Sequence, residues 1–454
     1  MSNPPAVSYR RTLGLFSGTM AVVGGIIGSG IFLNPAIVAE RVGTAGATLG
    51  VWVLGGIVAL IGAFCFGELG QRRPKAGGSY VYIREALGPL PAFLYAWALL
   101  LVIATGAIAA VAVTFANYFL PLVGLEASYA KPVAGAAILL FTVINYVGIR
   151  PGAITTNIFT LLKLAALAFL IVVGLTSPVA GSGAAEVLPS APTGAPAVFL
   201  AVAAALVPVL FAYGGWQQTN FIAEEIVEPQ KNLPRALLFG TAIVVLVYLL
   251  ANLTYLRTLG TAGLAASTAP AADALRLRLG TAGATIIGAG IAASTFGFLN
   301  LVIMVSPRVY QTMAADGLFF PAFARLHPVY RTPTTAIVVQ GLWAILLLLT
   351  GKYGQLLDYV VFCDWIFFGL AVYSLFVIRR QDRAAGLTDP PGAFRVPGWP
   401  VTPALFLAAA AYVVVGSIKS NPRNALLGCA ILGLGVPVFL YWKRSSGFRV
   451  PGSE

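Results

Sequence analysis

Charged residues are scarce in this sequence of 454 residues. Asp, Glu, Lys and Arg together make up 9% of the chain, whereas hydrophobic residues make up 59%. A soluble domain carries about 25% charged residues because its surface must be hydrated. Mean hydropathy is +0.89, so the composition excludes a soluble surface over the whole chain and indicates surfaces that face lipid.

Histidine, cysteine and acidic residues are also few. The chain has one His, three Cys and 15 Asp or Glu. The three cysteines are Cys65, Cys363 and Cys429, and each lies in an apolar run without metal-ligand spacing. This pattern excludes a disulfide framework and predicts no metal or cofactor. No HExxH motif, paired carboxylates or intramembrane His cluster is present, so the sequence predicts no enzyme. The N-terminal segment lacks an A-x-A-type cleavage site, and we expect no cleaved signal peptide.

Long apolar runs dominate the chain instead. Each is long enough to cross about 30 Å of hydrocarbon. We place twelve predicted transmembrane helices in one membrane domain (1–454), at roughly 14–42, 46–70, 88–120, 131–149, 154–176, 197–222, 235–258, 282–311, 334–350, 355–378, 402–418 and 424–442. The longest predicted outer loops are near 177–196 and 259–281.

The basic residues are spread over the predicted loops and form no patch, so the net charge of +13 predicts no nucleic-acid partner. Of the 28 Lys and Arg, 19 fall in segments on one side of the predicted membrane and eight on the other, and Lys163 falls inside a span. An excess of Lys and Arg marks cytoplasmic loops. The bias predicts an even number of spans, with both termini cytoplasmic, in a cytoplasmic (inner) membrane.

Two predicted spans carry a glycine cluster near their middle. The first span contains four glycines within 24–30 (GGIIGSG), and the sixth contains 211–216 (FAYGGW). Each Gly costs about 1 kcal/mol against Ala in a helix interior, so both clusters predict local unwinding. The alternative is that these glycines only allow close packing or a kink.

Unwound backbone in a membrane must find partners for its polar groups. Amides near Gly28, Ser29 and Gly30 begin the outer half of the first span, where the helix N-terminus suits a carboxylate. Carbonyls near Ile26, and those of Phe211 and Gly214, suit an ammonium. A site for both groups at one point predicts an α-amino acid as the ligand.

The two interrupted spans stand five spans apart. Because five is odd, the two units run through the membrane in opposite directions. This spacing is typical of inverted repeats with a site near the membrane midplane. We therefore predict repeats over 14–176 and 197–378, with two additional helices over 402–442.

Three motifs resemble the amino acid–polyamine–organocation (APC) superfamily, and most strongly its L-type amino-acid transporters and their bacterial relatives. The first motif is 25–32 (GIIGSGIF), and the second is 67–82 (GELGQRRPKAGGSYVY). The third motif begins with 211–216 (FAYGGW) and extends to residue 234. The resemblance covers nearly the whole chain. It implies the LeuT-like fold, an all-α membrane protein with a 5+5 inverted repeat plus two C-terminal helices.

Carried onto this sequence, the resemblance implies a substrate site. Its members would be Ile26, Ile27, Gly28, Ser29, Gly30, Phe211, Ala212, Gly214, Gln217, Phe298 and Trp365. Ser29 and Gly30 would bind the carboxylate, and Phe211 would be the gate over the substrate. The bulk of Phe298 favours small substrates.

Lys163 lies well inside the fifth predicted span, where an ammonium needs partners. It could reach freed carbonyls of the first span together with Ser294 or Thr295 of the eighth. The resemblance implies that Lys163 replaces the cation of sodium-coupled relatives. Two other interpretations stay open: Lys163 snorkels to the inner surface, or it releases a proton during transport.

Asp364 departs from the family pattern, which often has a neutral residue before this Trp. The acid could attract a cationic side chain or bond to a neighbouring helix, and from sequence we favour the structural role. The loop 121–131 has no Cys, whereas a Cys after the third helix ties animal members to a heavy chain. We therefore expect no disulfide-linked heavy chain.

The sequence thus predicts a sodium-independent transporter, and preferably an exchanger, of small neutral L-amino acids by alternating access. The alternatives are a proton-coupled symporter, or a cationic amino-acid or polyamine carrier of the same fold. Besides the substrate, membrane lipid is the expected partner.

Overall fold

The computed structural model describes residues 8–176, 187–189, 191–350, 353–387, 389, 392–420 and 422–445, without the side chains of 353–362, 420, 424 and 445. Within these residues the regular secondary structure is helical. The single β contact among them is an isolated parallel bridge between Leu13 and Ile226. The predicted all-α class is confirmed.

The first half of the chain forms eight α-helices. In chain order they are α1 (Leu15–Ile26), α2 (Gly30–Val42), α3 (Ala45–Arg72), α4 (Ser79–Leu87), α5 (Pro89–Ala98), α6 (Ala104–Leu122), α7 (Ala130–Tyr146) and α8 (Ile149–Leu175). A π-helical turn joins α5 to α6, so these two helices form one long apolar rod.

The second half forms nine more. They are α9 (Ala195–Ala212), α10 (Pro229–Ala266), α11 (Pro270–Val305), α12 (Pro307–Ala315), α13 (Pro321–Ala324), α14 (Thr334–Thr350), α15 (Tyr353–Ala384), α16 (Val401–Ser420) and α17 (Pro422–Ser445). A 3₁₀ segment, Trp216–Glu225, follows α9.

Nine helical stretches of the described chain are long and apolar enough to cross a membrane, or ten if α1 and α2 count as one bent span. Helices α14 and α15 lie outside that set, and α14 has 17 residues. The chain is therefore a multi-pass membrane protein, and the total of twelve spans stays a prediction.

The predicted outer loop near 259–281 is mostly helical. Helix α10 continues to Ala266 and α11 begins at Pro270, so only the three residues between them lie outside a helix. Gly260 and Gly280 have φ of 70° and 59°, so each helix turns sharply there and continues beyond the turn. These glycines and nearby Arg residues gave the segment the composition of a loop. Residues 177–186 of the other predicted loop lie outside the described residues.

An ion network closes the predicted inner end of the bundle. Glu68 at the end of α3 is fully buried and accepts hydrogen bonds from Arg72 (2.8 Å) and from Arg379 of α15 (2.6 Å). Arg72 also lies 2.9 Å from Asp389. Burial raises the pKa of Asp389, but Arg72 and Arg395 outweigh that effect and hold it below its ordinary value. The network ties α3 to α15 and to the segment before α16.

Candidate functional site

The first predicted span is interrupted where the glycine cluster lies. Helix α1 ends at Ile26, α2 begins at Gly30, and the two helices bend by 44°. Ile27 between them is extended, with φ −74° and ψ 96°. Glycine is a weak helix former, so the helix ends where it is concentrated.

Lys163 of α8 lies against this break. Its side chain is fully buried, and its ammonium donates to the carbonyl of Gly24 at 3.1 Å and to that of Ile27 at 2.7 Å. The hydroxyl of Ser294 on α11 donates to the same Ile27 carbonyl at 3.4 Å. The side-chain nitrogen of Lys163 and a hydroxyl therefore satisfy carbonyls at the end of α1 that have no partner within the helix.

The amides on the other side of the break have no such partner. The N–H groups of Gly28, Ser29 and Gly30 make no hydrogen bond to any described residue, and the Ser29 side chain does not cap α2. They stand at the N-terminus of a 13-residue helix, which carries a partial positive charge. This geometry suits an anion.

A second break faces the first. Helix α9 ends at Ala212, and the turn that follows has Gly215 at φ 112° before the 3₁₀ segment begins. A Cβ on Gly215 would lie 2.0 Å from the carbonyl oxygen of Gly25, so only glycine permits this approach. The two breaks therefore touch through their backbones.

A cavity of about 140 Å³ opens beside the two breaks. An engineered cavity of about 150 Å³ holds benzene, so this one has room for a small organic molecule. Among the residues predicted for the site, those that line it are Ile26, Gly28, Ser29, Gly30, Phe211, Ala212, Gly214, Gln217, Phe298 and Trp365. The site thus offers free amides from α2 and backbone from the second break to one solute.

A family model of amino acid permeases matches residues 13–432. The chain belongs to the amino acid permease family. It is 34% identical over 451 residues to the large neutral amino acids transporter small subunit 2 of Mus musculus and of Homo sapiens, covering 96% of this chain and 82% of each relative. It is 32% identical over 442 residues to the b(0,+)-type amino acid transporter 1 of Homo sapiens, covering 96% and 89%. The resemblance to the APC superfamily is confirmed.

Two residues predicted for this permease site have contacts other than those predicted. Ile27 does not line the cavity, because its carbonyl is turned to Lys163 and Ser294. Thr295 lines the cavity, but its hydroxyl donates to Ile291 of its own helix at 2.8 Å. Helical threonines often bond back in this way, so only Ser294 of the pair reaches the break.

The predicted gate, Phe211, lines the permease cavity with 42% of its side chain exposed. Phe221 and Ser306 line the same cavity. Further along the chain from each of them, Glu225 and Arg308 form a fully buried pair with an Nε–Oε2 distance of 2.9 Å. This ion pair ties the 3₁₀ segment to α12, and sequence reasoning missed it although Glu225 belongs to the third motif.

Tyr248 of α10 is a second residue of the site that sequence reasoning missed. Its hydroxyl lies 3.1 Å from the carbonyl oxygen of Ile26 and 3.2 Å from that of Ala212, so it can donate to either break. The residue is fully buried. A tyrosine deep in an apolar span needs a partner for its hydroxyl, which was the available signal.

Replacing Tyr248 by Phe is expected to destabilise the backbone at both breaks, because it removes the hydroxyl that can donate to either. One hydrogen bond contributes about 1 kcal/mol, so we expect the variant to be destabilised by about 1–3 kcal/mol and to transport roughly five- to tenfold more slowly. Unfolding in detergent and initial transport rates measure the two effects. Tyr412→Phe, at an exposed position of α16, is the control. Equal stability and rate in both variants would remove Tyr248 from the site.

Proposed function

We propose that this permease exchanges small neutral L-amino acids across a membrane without sodium, by alternating access. The observation that carries the proposal is the ammonium of Lys163 on the carbonyls of Gly24 and Ile27, beside a cavity with free amides. A fixed cation there leaves no need for a dissolved one. The names of the relatives, which are amino acid transporters, support the substrate class.

The substrate carboxylate would be held by the amides of Ser29 and Gly30, with the Ser29 hydroxyl adding a donor. The ammonium would be held by backbone carbonyls of Ile26, Phe211 and Gly214. Tyr248 already donates near Ile26, but a carbonyl has two lone pairs and can accept from both groups. In this proposal the Phe211 ring closes over the bound substrate.

The side-chain end of the cavity would set the size of the substrate. Gln217, Phe298 and Trp365 line it, together with Phe368. The three aromatic rings of Phe298, Trp365 and Phe368 around a cavity of about 140 Å³ favour short side chains such as those of Ala, Ser and Val.

The transport cycle would use an inverted repeat. We propose that 14–176 and 197–378 are the two repeats, that 402–442 adds two helices for a total of twelve spans, and that both breaks lie near the membrane midplane. The observation that supports this is the contact between the two breaks, one from each proposed repeat. Rocking of one group of helices against the other would then expose the cavity to each side in turn.

We also propose that the permease lies in a cytoplasmic (inner) membrane with both termini inside, and that no disulfide joins it to a heavy chain. The excess of Lys and Arg on the predicted inner side supports the orientation. The absence of Cys from 121–131 supports the second point. The relatives named above as small subunits leave that point a prediction to be tested on purified, non-reduced protein.

Uptake of labelled L-alanine into proteoliposomes in sodium-free buffer tests the proposed function. We expect uptake that requires unlabelled L-alanine inside the vesicles and is unchanged by a proton gradient. Uptake into empty vesicles that rises with an inward proton gradient would contradict exchange and establish proton symport. No uptake of alanine under either condition would overturn the neutral-substrate proposal.

A further inference from the structure

One acidic side chain lines the cavity and has no role in the proposed binding of the α-carboxylate and α-ammonium. Asp364 lies on α15 between Cys363 and Trp365, and its side chain is partly buried in the cavity wall. The structural role that we favoured from sequence has no counterpart, since Asp364 makes no hydrogen bond or ion pair with any described residue. The cavity therefore presents a carboxyl group that has no partner among the described residues.

The two fully buried cations among the described residues have other partners. Lys163 is turned toward the carbonyls of Gly24 and Ile27, and Arg308 is held by Glu225. Neither cation lines the cavity. A carboxylate out of bulk water needs donors, because leaving it unpaired costs several kcal/mol. The donor must then come from what enters the cavity.

The wall near Asp364 is largely apolar and aromatic. Trp365 and Phe368 follow it on α15, and Leu99 and Ile103 line the cavity from the helical rod of α5 and α6. Tyr95 also lines the cavity and lies close enough to Asp364 to interact with it electrostatically. A few polar groups in such a wall fix the orientation and the identity of a ligand. The α-carboxylate and α-ammonium already have partners at the breaks in the proposed site. What remains of the substrate to meet Asp364 is the end of its side chain.

We propose that Asp364 accepts a hydrogen bond from the end of the substrate side chain, so that among small neutral amino acids the permease prefers those with a side-chain hydroxyl, and that it also admits a short side chain that carries an ammonium. This inference rests on the proposed substrate site. A site that bonds a substrate hydroxyl rejects the isostere that lacks it far more strongly than a pocket discriminates by size. An ammonium gains more than a hydroxyl because the bond is charge-assisted.

Two pairs of near-isosteres separate the effect of the donor from that of size. L-Threonine differs from L-valine by a hydroxyl in place of a methyl group, and L-2,4-diaminobutyrate differs from L-norvaline by an ammonium in place of a methyl group. Displacement of labelled L-alanine from the purified full-length protein measures all four affinities. In the wild type we expect each donor-bearing member to bind at least about tenfold more tightly than its partner.

Three variants locate the preference. In Asp364→Leu we expect both ratios to fall to about one. In Asp364→Asn, an isosteric change, the amide oxygen still accepts, so we expect the threonine preference to persist in part and the diaminobutyrate preference to disappear. Glu40→Gln removes an exposed carboxylate of α2 and is expected to leave both ratios unchanged.

Ratios near one in the wild type, or ratios that Asp364→Leu leaves unchanged, would overturn the inference. If the Leu variant does not fold, the diaminobutyrate ratio in Asp364→Asn decides alone. Failure of the proposed function would look different, because L-alanine itself would then show no specific binding. If L-alanine binds but the two members of each pair bind with equal affinity, only the proposed role of Asp364 is contradicted.

Discussion

Replacing Lys163 by methionine is expected to reduce amino-acid exchange at least about 100-fold. The ammonium donates to two carbonyls at the end of α1, at 3.1 and 2.7 Å. Hydrogen bonds from a charged donor contribute about 1.5–3 kcal/mol each, and about 2.7 kcal/mol corresponds to a factor of 100 in rate. Methionine keeps an unbranched side chain, one atom shorter than that of lysine, and leaves Gly24 and Ile27 without that donor.

The effect should exceed that of a lost contact, since a buried carbonyl without a partner carries its full desolvation cost. Initial rates of exchange in proteoliposomes measure it. Lys131→Met, at an exposed position of α7, is the matched control and should exchange at the wild-type rate. If Lys163→Met does not fold, Lys163→Gln retains a neutral donor and should fold yet transport poorly. Exchange by Lys163→Met within about threefold of the wild type would contradict the role of the cation.

Replacing Ser29 by leucine is expected to abolish substrate binding while the protein stays folded. The amides of Gly28, Ser29 and Gly30 make no hydrogen bond to the described residues, and all three positions line the cavity. A leucine side chain at the start of α2 would fill the space that the carboxylate needs. Loss of several charge-assisted bonds predicts a fall in affinity of at least about 100-fold.

Two variants show whether backbone or hydroxyl is responsible. Ser29→Gly keeps the amides and removes the hydroxyl, so we expect it to lose less than about tenfold in affinity. Ser128→Leu makes the same change at an exposed position of the predicted outer side and should bind as the wild type does. Displacement of labelled L-alanine reports all three affinities. Normal binding by Ser29→Leu would show that the carboxylate lies elsewhere.

The sequence could predict both breaks because their cause is local. Glycine weakens a helix wherever it stands, and the clusters at 24–30 and 211–216 lie where α1 and α9 end. Lys163 was predictable for a similar reason. Thr156, Thr160 and Lys163 follow at helical spacing on α8, and all three are buried. Such a polar stripe in an apolar span predicts contact with other polar groups.

Features that depend on distant packing escaped prediction. Tyr248 serves both breaks only because α10 brings its hydroxyl close to the ends of α1 and α9, and no local pattern indicates this. The isolation of Asp364 could not be foreseen, since the lack of a partner is a property of the whole wall. The sixth predicted span continues as a 3₁₀ helix rather than an α-helix after Gly215. The close approach of Gly215 to Gly25 is again an effect of tertiary packing.

Comparing L-alanine with two of its analogues tests whether one site holds both charged groups of the substrate. Propionate lacks the ammonium, and L-alaninol carries a hydroxymethyl group in place of the carboxylate. If one solute is held by the amides at Ser29 and Gly30 and by the carbonyls of the second break, both groups are required. We therefore predict that L-alanine displaces labelled L-alanine from the purified permease and that each analogue does so at least about 100-fold more weakly. Displacement by either analogue at concentrations close to that of L-alanine would contradict a site built on the two helix breaks.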